Sequence, residues 1–267
     1  KVQTIEDVKE IVGDVPLLGE TIRIKKNHKD VLSKNDRTSL GETFRIIRTN
    51  INYFLENKKQ QNKASKIFVT SSVKGEGKTF VSFNLMLSLV DTDKKVIIVG
   101  GDIRNPKLNR YLNMNKSKMG LTDYLNNGNL SADELINKVD FADRNFDVIA
   151  SGRIPPNPSE LLLNDRFDDL IKELEDSYDY IIVDTAPTML VTDTFLMNEI
   201  ADLNLYVLRS GHTEKDLLPY IKTIHKNKKI KNMALVLNDV KVNKSGYGYG
   251  YGYGESTNKW NLNIFKK

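Results

Sequence analysis

A short glycine-rich stretch carries the residue types that bind phosphate. It reads Lys74-Gly75-Glu76-Gly77-Lys78-Thr79, follows an apolar run at 67–69 and precedes a helical apolar pattern. Glycines let backbone N–H groups turn towards phosphate oxygens, and a helix beginning near Lys78 presents its positive dipole end to them. Lys78 then reaches the β- and γ-phosphates, and the Thr79 hydroxyl becomes a ligand of Mg²⁺. The flanks favour this interpretation over the alternative, a plain glycine turn between a strand and a helix.

The loop departs from the commonest phosphate-loop pattern in two places. GxxxxGK[ST] begins with glycine, whereas Ser72 stands at that position, and an extra lysine, Lys74, precedes the glycines. This combination marks the deviant Walker A class, whose extra lysine contacts phosphate. We therefore expect the nucleotide-binding residues of the loop to be Ser72, Val73, Lys74, Gly75, Glu76, Gly77, Lys78, Thr79 and Phe80.

Carboxylates follow two further apolar runs. The run YIIVD ends in Asp184, and the run VIIV at 96–99 is followed by Gly100-Gly101-Asp102-Ile103-Arg104. In phosphate-loop enzymes, carboxylates at the ends of neighbouring strands manage Mg²⁺ and the attacking oxygen. We expect Asp184 to hold Mg²⁺ directly or through water, the alternative being an aspartate that only caps its loop.

The elements that must position these residues alternate along the chain. Strands are predicted at 67–69, 96–99, 146–150, 180–184, 203–208 and 233–238, and helices at 39–58, 79–90, 121–125, 131–139, 159–178, 192–200 and 213–226. Because the strands are continuous apolar runs separated by helices, we expect an α/β fold with a mainly parallel sheet and helices on both faces.

The two ends of the chain differ from this central domain, which we place at 39–240. In the segment 1–29, Thr4 begins a short helix that Gly13 closes, and Leu17 and Leu18 lie in an extended stretch. Residues 30–38 are polar and charged and predict a linker. In the tail, 241–267, glycine alternates with Tyr247, Tyr249, Tyr251 and Tyr253, which predicts a flexible strip of either adhesive contacts or modification substrates.

Composition narrows the function classes. The chain has 267 residues, 39% of them hydrophobic, with no cysteine and a net charge of +5. The hydrophobic fraction is large enough for a hydrophobic core, and the absence of cysteine excludes disulfides and thiolate chemistry. The net positive charge is small and does not indicate a nucleic-acid-binding surface. No apolar run approaches the roughly 18 residues of a membrane span, and no signal peptide is visible. The first residue, Lys1, indicates a fragment, a processed form or an engineered chain.

Three motifs together resemble those of the bacterial tyrosine kinases, which are relatives of the MinD and ParA ATPases. They are KGEGKT at 74–79, VIIVGGDIR at 96–104 and IIVDTAP at 181–187. An arginine-bearing helix with Glu42, Arg45 and Arg48, the segment PPNPSELL at 155–162 and the tyrosine tail are similar to those of the capsule type. In that CapB-like branch the kinase is separate from a CapA-like membrane activator. The resemblance covers residues 38–267 and implies a phosphate-loop NTPase fold.

This resemblance implies an ATP-dependent protein-tyrosine kinase that uses Mg²⁺ and carries ATP or ADP. Lys74 and Lys78 would neutralise the γ-phosphoryl group, while the catalytic carboxylates Asp102 and Asp184 would organise Mg²⁺ with Thr79. Arg209 and Asn238 are expected near the base. The tail tyrosines would accept phosphate in trans within a ring-like, octameric homo-oligomer formed through Glu42, Arg45 and Arg48. From the sequence pattern alone, Glu42, Arg45 and Arg48 could equally form a solvated helix face with i,i+3 ion pairs.

The stretch TIEDVKEIVGDVPLLG within 1–29 resembles the cytoplasmic tail of Wzz-like polysaccharide co-polymerases, which activates a partner kinase. A kinase fused to such a tail implies a membrane activator as partner and polysaccharide-synthesis enzymes as substrates. It also implies a cytoplasmic location at the inner face of the membrane, reached through the activator, and no role for nucleic acid.

One departure from the family pattern bears on activity. The family's second motif reads D-x-D-x-R, and here Gly100 takes the place of the first aspartate, while Asp102 and Arg104 are kept. That first carboxylate is the family's candidate base for the tyrosine hydroxyl, and a general base contributes roughly 10²–10⁴-fold in rate. Our hypothesis is that this chain binds nucleotide but transfers phosphate poorly, as an engineered inactive form. Natural variation that shifts the role to Asp102 is the alternative, and a MinD/ParA-like ATPase switch or a nucleotide-gated scaffold are the competing functions.

Overall fold

The computed structural model describes residues 1–24, 30–56, 63–112, 119–189 and 193–241. The tail tyrosines predicted as phosphoacceptors lie outside these residues. Within them the strands are β1 (Leu17–Ile22), β2 (Ser65–Ser71), β3 (Val96–Gly100), β4 (Asn137–Asp140), β5 (Asn145–Ile149), β6 (Tyr180–Asp184), β7 (Leu203–Arg209) and β8 (Met233–Val240). The helices are α1 (Ile5–Val12), α2 (Ser39–Glu56), α3 (Lys78–Val90), α4 (Asn109–Leu112), α5 (Leu121–Asn126), α6 (Pro158–Leu162), α7 (Arg166–Glu175), α8 (Asp193–Met197) and α9 (Leu218–Lys226).

The described strands form one sheet in the order β1-β8-β7-β2-β6-β3-β5-β4. Every neighbouring pair is parallel except β4 and β5. The predicted α/β fold with a mainly parallel sheet is thus confirmed. Because parallel strands end at the same edge, the sheet brings the ends of β2, β3, β6, β7 and β8 together, and ligands of such sheets bind at that carboxyl edge.

Alternate residues along each strand pack against helices on opposite faces of the sheet. One face carries Phe44, Ile47 and Ile51 of α2 together with the apolar side of α3, all buried in a single cluster with Ile67 and Val69. The opposite face is covered by α5 to α7 over its β3–β6 half and by α1 and α9 over β7 and β8. Burial on both faces explains why these strands read as continuous apolar runs.

The N-terminal segment completes this sheet. Helix α1 has the predicted Thr4 cap and ends at Gly13, and its buried Val8 and Val12 pack in one cluster with α9. Strand β1 then pairs with β8, with Leu17 opposite Leu235 and Ile22 opposite Val240. Residues 1–24 therefore fold as the edge strand and a covering helix of the central domain.

The predicted linker is bound to the domain surface over its described part. Leu32 is buried, and its backbone N–H donates a 2.8 Å hydrogen bond to Asn84 Oδ1. The buried guanidinium of Arg144 binds both carboxylate oxygens of Asp91, at 2.7 and 2.8 Å, and donates to the carbonyls of Leu32 and Ser33. The polar composition of 30–38 does not predict this attachment, because much of it joins backbone groups of Leu32 and Ser33 to side chains far away in the sequence.

One predicted helix, at β4, is wrong over most of its length, and another, after β5, is interrupted. The stretch predicted as a helix at 131–139 contains a 3₁₀ turn, Ala132–Glu134, followed by strand β4. Ser131 and Glu134 form a capping box, with Ser131 N donating to Glu134 Oε2 at 2.8 Å, but antiparallel pairing with β5 takes the chain after one turn. The helix predicted at 159–178 is divided into α6 and α7 at Leu163, an exposed leucine.

Candidate active site

The phosphate loop connects the central strand β2 to α3. Gly75 and Gly77 adopt φ of +88° and +95°, a backbone region that side chains with a Cβ rarely enter. A Cβ on Gly77 would stand 2.0 Å from Asn238 Nδ2, and one on Gly75 would stand 3.0 Å from His212 Nε2. The two glycines of the sequence motif are therefore needed both for the backbone turn and for close packing against β8 and the loop after β7.

The carbonyl oxygens of the loop are tied to neighbouring elements. Asn238 Nδ2 donates to the carbonyl of Glu76 at 2.9 Å, Arg209 donates to the carbonyl of Gly75 at 2.8 Å, and His212 Nε2 lies 2.9 Å from the carbonyl of Lys74. In a trans peptide the carbonyl and the following N–H point in opposite directions. Holding these carbonyls therefore fixes the direction of the N–H groups that a phosphate cradle uses.

A buried carboxylate braces the loop from inside. Glu76 is fully buried, its Oε2 accepts the N–H of Val73 at 2.8 Å, and its Oε1 accepts the hydroxyl of Thr213. Burial raises the pKa of this carboxyl, while the bonds from Thr213 and Val73 work against that rise. Glu76 was predicted as a nucleotide contact, but its side chain points away from the cleft and joins the loop to the segment after β7.

Two of the predicted metal ligands meet where α3 begins and β6 ends. Thr79 Oγ1 donates a 2.6 Å hydrogen bond to Asp184 Oδ2, and Asp184 is almost fully buried. Burial raises the pKa of the Asp184 carboxyl to about 6, although Lys78 and the Thr79 hydroxyl lower it. A half-buried hydroxyl in contact with a buried carboxylate supplies hard oxygen donors of the kind Mg²⁺ takes beside phosphate oxygens.

Asp102 lies next to this pair. Its backbone N–H donates to the carbonyl of Asp184 at 2.8 Å, and its own Oδ1 accepts the N–H groups of Asn105, at 2.9 Å, and Arg104, at 3.3 Å. The negative charge of Asp102 contributes to the raised pKa of Asp184. Position 100, at the end of β3, pairs in register with Asp184, and its glycine leaves no carboxylate there.

Lys78, Thr79 and Asp102 line a cleft of about 510 Å³ at the carboxyl edge of the sheet, and the buried Asp184 is hydrogen-bonded to Thr79. Of the predicted nucleotide residues, those that line it are Lys74, Gly75, Gly77, Lys78, Thr79, Phe80, Arg209 and Asn238. Ser72 is buried beneath the loop, where its hydroxyl lies 3.0 Å from that of Tyr206, and Val73 is half-buried beside it. Ser72, Val73 and Glu76 are therefore not among the residues that line the cleft.

Other walls of the cleft were not predicted. Lys107, Arg110 and Tyr111 lie on one side, with Tyr111 stacked on Phe83 at a ring distance of 4.7 Å and Arg110 bound to Asp30 at 2.6 Å. The N-terminal segment adds Ile22 and Ile24. No short motif joins these residues, so only the folded sheet could reveal them.

The predicted oligomer residues lie on α2. Arg45 forms an ion pair with Glu42 and binds the carbonyl of Asp36, while Arg48 reaches the last turn of α3 and binds the carbonyl and hydroxyl of Ser88. The Glu42–Arg45 pair has the i,i+3 spacing of the alternative interpretation, and both side chains keep substantial exposure. Arg48 is half-buried and also serves to hold α2 on α3.

Known proteins match this arrangement. The model of the AAA domain family matches residues 64–237. The tyrosine-protein kinase Ptk of Acinetobacter johnsonii is 32% identical over 226 residues, 85% of this chain but only 30% of that protein. YwqD of Bacillus subtilis, a tyrosine-protein kinase, is 31% identical over 224 residues, which cover 83% of this chain and 91% of YwqD. The chain belongs to the bacterial tyrosine-protein kinases.

Solved structures agree with this membership of the bacterial tyrosine-protein kinases. The kinase domain of the Escherichia coli tyrosine kinase ETK has a TM-score of 0.78 at 26% identity, over 95% of this chain and all of that one. The chimerical protein CapA2B2 has a TM-score of 0.76 at 29% identity, over 90% of this chain and all of that one. MinD from Pyrococcus horikoshii, at 21% identity and a TM-score of 0.50 over 64% of this chain and 68% of its own, shares the fold alone. The predicted family and fold class are confirmed.

Among the described residues of this bacterial tyrosine-protein kinase chain, no helix combines the length and apolarity that crossing a bilayer requires.

Proposed function

We propose that this chain is an ATP-dependent protein-tyrosine kinase that phosphorylates the tail of a neighbouring copy at Tyr247, Tyr249, Tyr251 and Tyr253. The observation that carries the proposal is a cleft lined by Lys78, Thr79 and Asp102, with the buried Asp184 hydrogen-bonded to Thr79. This is the equipment of a phosphoryl-transfer site, and its family uses tyrosine as acceptor.

In the proposed reaction, a tyrosine oxygen forms a bond to the γ-phosphorus of ATP. The bond from that phosphorus to the β–γ bridging oxygen breaks, ADP leaves with the electron pair, and the phenolic proton passes to a carboxylate. Lys78 and Lys74 neutralise the phosphate charge, and the loop N–H groups bind the phosphate oxygens. Thr79 and Asp184, with Asp102 beside them, would hold Mg²⁺, which would supply further charge neutralisation when bound. Their hydroxyl and carboxylate donors fit that ion.

The proton acceptor is the weak part of this site. Gly100 cannot accept a proton, and the nearest retained carboxylate of that motif is Asp102, whose Oδ1 is already occupied by two backbone N–H groups. We therefore propose slow transfer by this chain. This observation favours a second candidate function, a nucleotide-gated scaffold without turnover; a MinD/ParA-like ATPase that uses water as acceptor is the third.

The N-terminal segment is proposed to act as the tail of a membrane activator. Leu18 is buried and Leu17 half-buried within β1, where they anchor the segment, and Ile22 and Ile24 line the cleft. Through that activator the kinase would work in the cytoplasm at the inner face of the membrane and regulate capsule or exopolysaccharide synthesis. Enzymes of polysaccharide synthesis are the proposed substrates.

A ring-like oligomer, octameric by resemblance, is proposed to deliver each tail to the next copy. The exposed part of α2, with Glu42 and Arg45, is the proposed contact surface. Phosphorylation adds about −1.5 to −2 charge per tyrosine, which would expel the tail and loosen the ring.

The proposal is tested by incubating the chain with ATP and Mg²⁺ and measuring phosphotyrosine by immunoblotting and tail mass spectrometry. Tail phosphate that is lost in Lys78→Ala and in a variant with the four tail tyrosines changed to phenylalanine supports the kinase. ATP hydrolysis without phosphotyrosine, after aspartate has been restored at position 100, supports the ATPase switch instead. Nucleotide binding with neither product supports the scaffold.

A further inference from the structure

Two side chains at the end of β1 reach the phosphate loop through the end of β8. Thr21 is fully buried, and Arg23 follows Ile22 at the end of the strand, where its backbone N–H donates to the carbonyl of Val240 at 2.8 Å. Their partners, Asn238 and Asp239, are the residues of β8 that stand beside the loop.

The first connection passes through Asn238. The Thr21 hydroxyl donates to Asn238 Oδ1 and accepts the backbone N–H of Asp239 at 3.2 Å. On its other side, Asn238 Nδ2 donates to the carbonyl of Glu76 at 2.9 Å. Because a carbonyl only accepts, the Glu76 carbonyl requires the NH₂ end of the Asn238 amide to face the loop, and the Thr21 hydroxyl holds the amide in place by donating to its oxygen end.

The second connection passes through Asp239. Arg23 binds both carboxylate oxygens of Asp239, each at 3.0 Å, and Asp239 Oδ2 also accepts Arg209 Nε at 3.1 Å. Arg209 in turn donates to the carbonyl of Gly75 at 2.8 Å. Bidentate arginine–carboxylate pairs are the geometrically specific ion pairs, so the Asp239 carboxylate holds Arg209 in the orientation that meets the loop.

Both connections end on consecutive carbonyls, those of Gly75 and Glu76, in the part of the loop with positive φ values. Fixing two successive peptide planes costs conformational entropy, which a nucleotide would otherwise have to offset when it binds. If β1 already holds the loop in place, the loop loses less conformational entropy when the nucleotide binds.

We propose that Thr21 and Arg23 are positioning residues of the phosphate loop, through which strand β1 raises the affinity of the cleft for the polyphosphate of a nucleotide. The inference rests on the proposed nucleotide site and deepens it. It assigns to the N-terminal segment an action that passes through β8 to the loop backbone, in addition to any contact of Ile22 and Ile24 with a ligand.

The experiment titrates the full chain with a fluorescent ADP analogue in the presence of Mg²⁺. Thr21→Val, which removes the hydroxyl and keeps the shape, is expected to weaken binding about tenfold, since a buried amide is left unpaired. Thr21→Ser restores the hydroxyl and is expected to recover most of the affinity. Arg23→Ala, a partly exposed position, is expected to weaken binding about threefold, and the loss should shrink at high salt. Thr223→Val on α9 is the matched control for hydroxyl loss.

Competition with pyrophosphate and with adenosine identifies the mechanism. Because the connections end on the loop backbone, Thr21→Val should weaken pyrophosphate as much as ADP and leave adenosine unchanged. Wild-type ADP affinity in both Thr21→Val and Arg23→Ala, or an equal loss for adenosine, would overturn the inference. Failure of the wild-type chain to bind the analogue would instead contradict the proposed function. If Thr21→Val does not fold, the Arg23→Ala result alone decides.

Discussion

Gly100 and Asp184 stand side by side, in register, at the carboxyl ends of strands β3 and β6. A side chain at position 100 would therefore begin next to the proposed metal ligand, at the place where a phosphoryl-transfer site needs a second carboxylate. The position is also crowded, since a Cβ there would lie 2.4 Å from Ser151 Oγ and 2.9 Å from the backbone nitrogen of Ser151. Restoring the carboxylate therefore requires a small shift of the loop after β5.

The first prediction is that Gly100→Asp increases tail phosphorylation, by as much as the roughly 10²–10⁴-fold that a general base contributes. The double variant Gly100→Asp with Ser151→Ala should be faster still, because it removes the nearest obstructing atom. Initial rates of phosphotyrosine formation measure both effects. Ser151→Ala alone is the control and should not change the rate. Equal rates with glycine and aspartate at position 100 would refute the impaired-base hypothesis.

The second prediction concerns the phosphate loop itself. Gly77→Ala should abolish binding of the fluorescent ADP analogue and lower the melting temperature, because φ of +95° in a residue with a Cβ costs on the order of 1–3 kcal/mol and the new methyl group displaces Asn238. Gly128→Ala is the control, since its Cβ meets only the end of Arg166, at 3.9 Å. Wild-type affinity in Gly77→Ala would show that the close packing of loop and β8 is dispensable.

The third prediction is a pH dependence that arises from Asp184. Burial is the main cause that raises its folded-state pKa from 3.8 to about 6. In the nucleotide-free protein, the contribution of this carboxyl to folding stability is therefore complete below about pH 4 and is lost as the pH rises through 6. The neutral variant Asp184→Asn does not undergo this loss. Its melting temperature minus that of the wild type should therefore increase between pH 5 and pH 8. Scanning fluorimetry without Mg²⁺ measures the difference, and the exposed Asp216→Asn is the control. A constant difference across that range would contradict the raised pKa.

The fourth prediction tests the oligomer surface. Arg45→Ala combined with Arg48→Ala should convert the proposed ring into monomers, as measured by light scattering. Because Arg48 also binds Ser88 on α3, part of the effect is structural, and the single variant Arg45→Ala isolates the exposed charge. Lys172→Ala, an exposed lysine on α7, is the control for loss of a surface cation. An intact ring in the double variant would exclude α2 as the interface.

Much of the site was predictable because its signals are local. The glycines of the loop, its lysines and Thr79 lie within one short stretch of sequence. Asp184 directly follows four apolar residues, which predict the strand that it ends. Parallel strands then bring such strand ends together. Among the residues that hold the loop, Arg209 and Asn238 were expected only through the family resemblance, and as residues near the base. Thr21 was not expected at all, because it is 217 positions from Asn238 and has no local signature.

The errors in the fold have physical causes as well. Strand β4 contains Asn137, Lys138 and Asp140, which lack strand propensity, and pairing with β5 alone makes it a strand. The Ser131–Glu134 capping box satisfies a single turn and carries no information on how far the helix continues. Likewise, the packing of 30–38 depends on Arg144, more than 100 positions away.

Strand β1 also decides where the sheet ends. Without it, β8 would present a row of unpaired N–H and carbonyl groups along a strand of largely apolar residues, the kind of edge that pairs with other chains and promotes aggregation. A domain made without residues 17–22 would thus have an open, adhesive edge beside its phosphate loop. The same edge could also pair with a strand of a partner protein. The solubility of such a domain and its recognition of the partner would then depend on one surface, and a partner strand bound there would also protect the edge from aggregation.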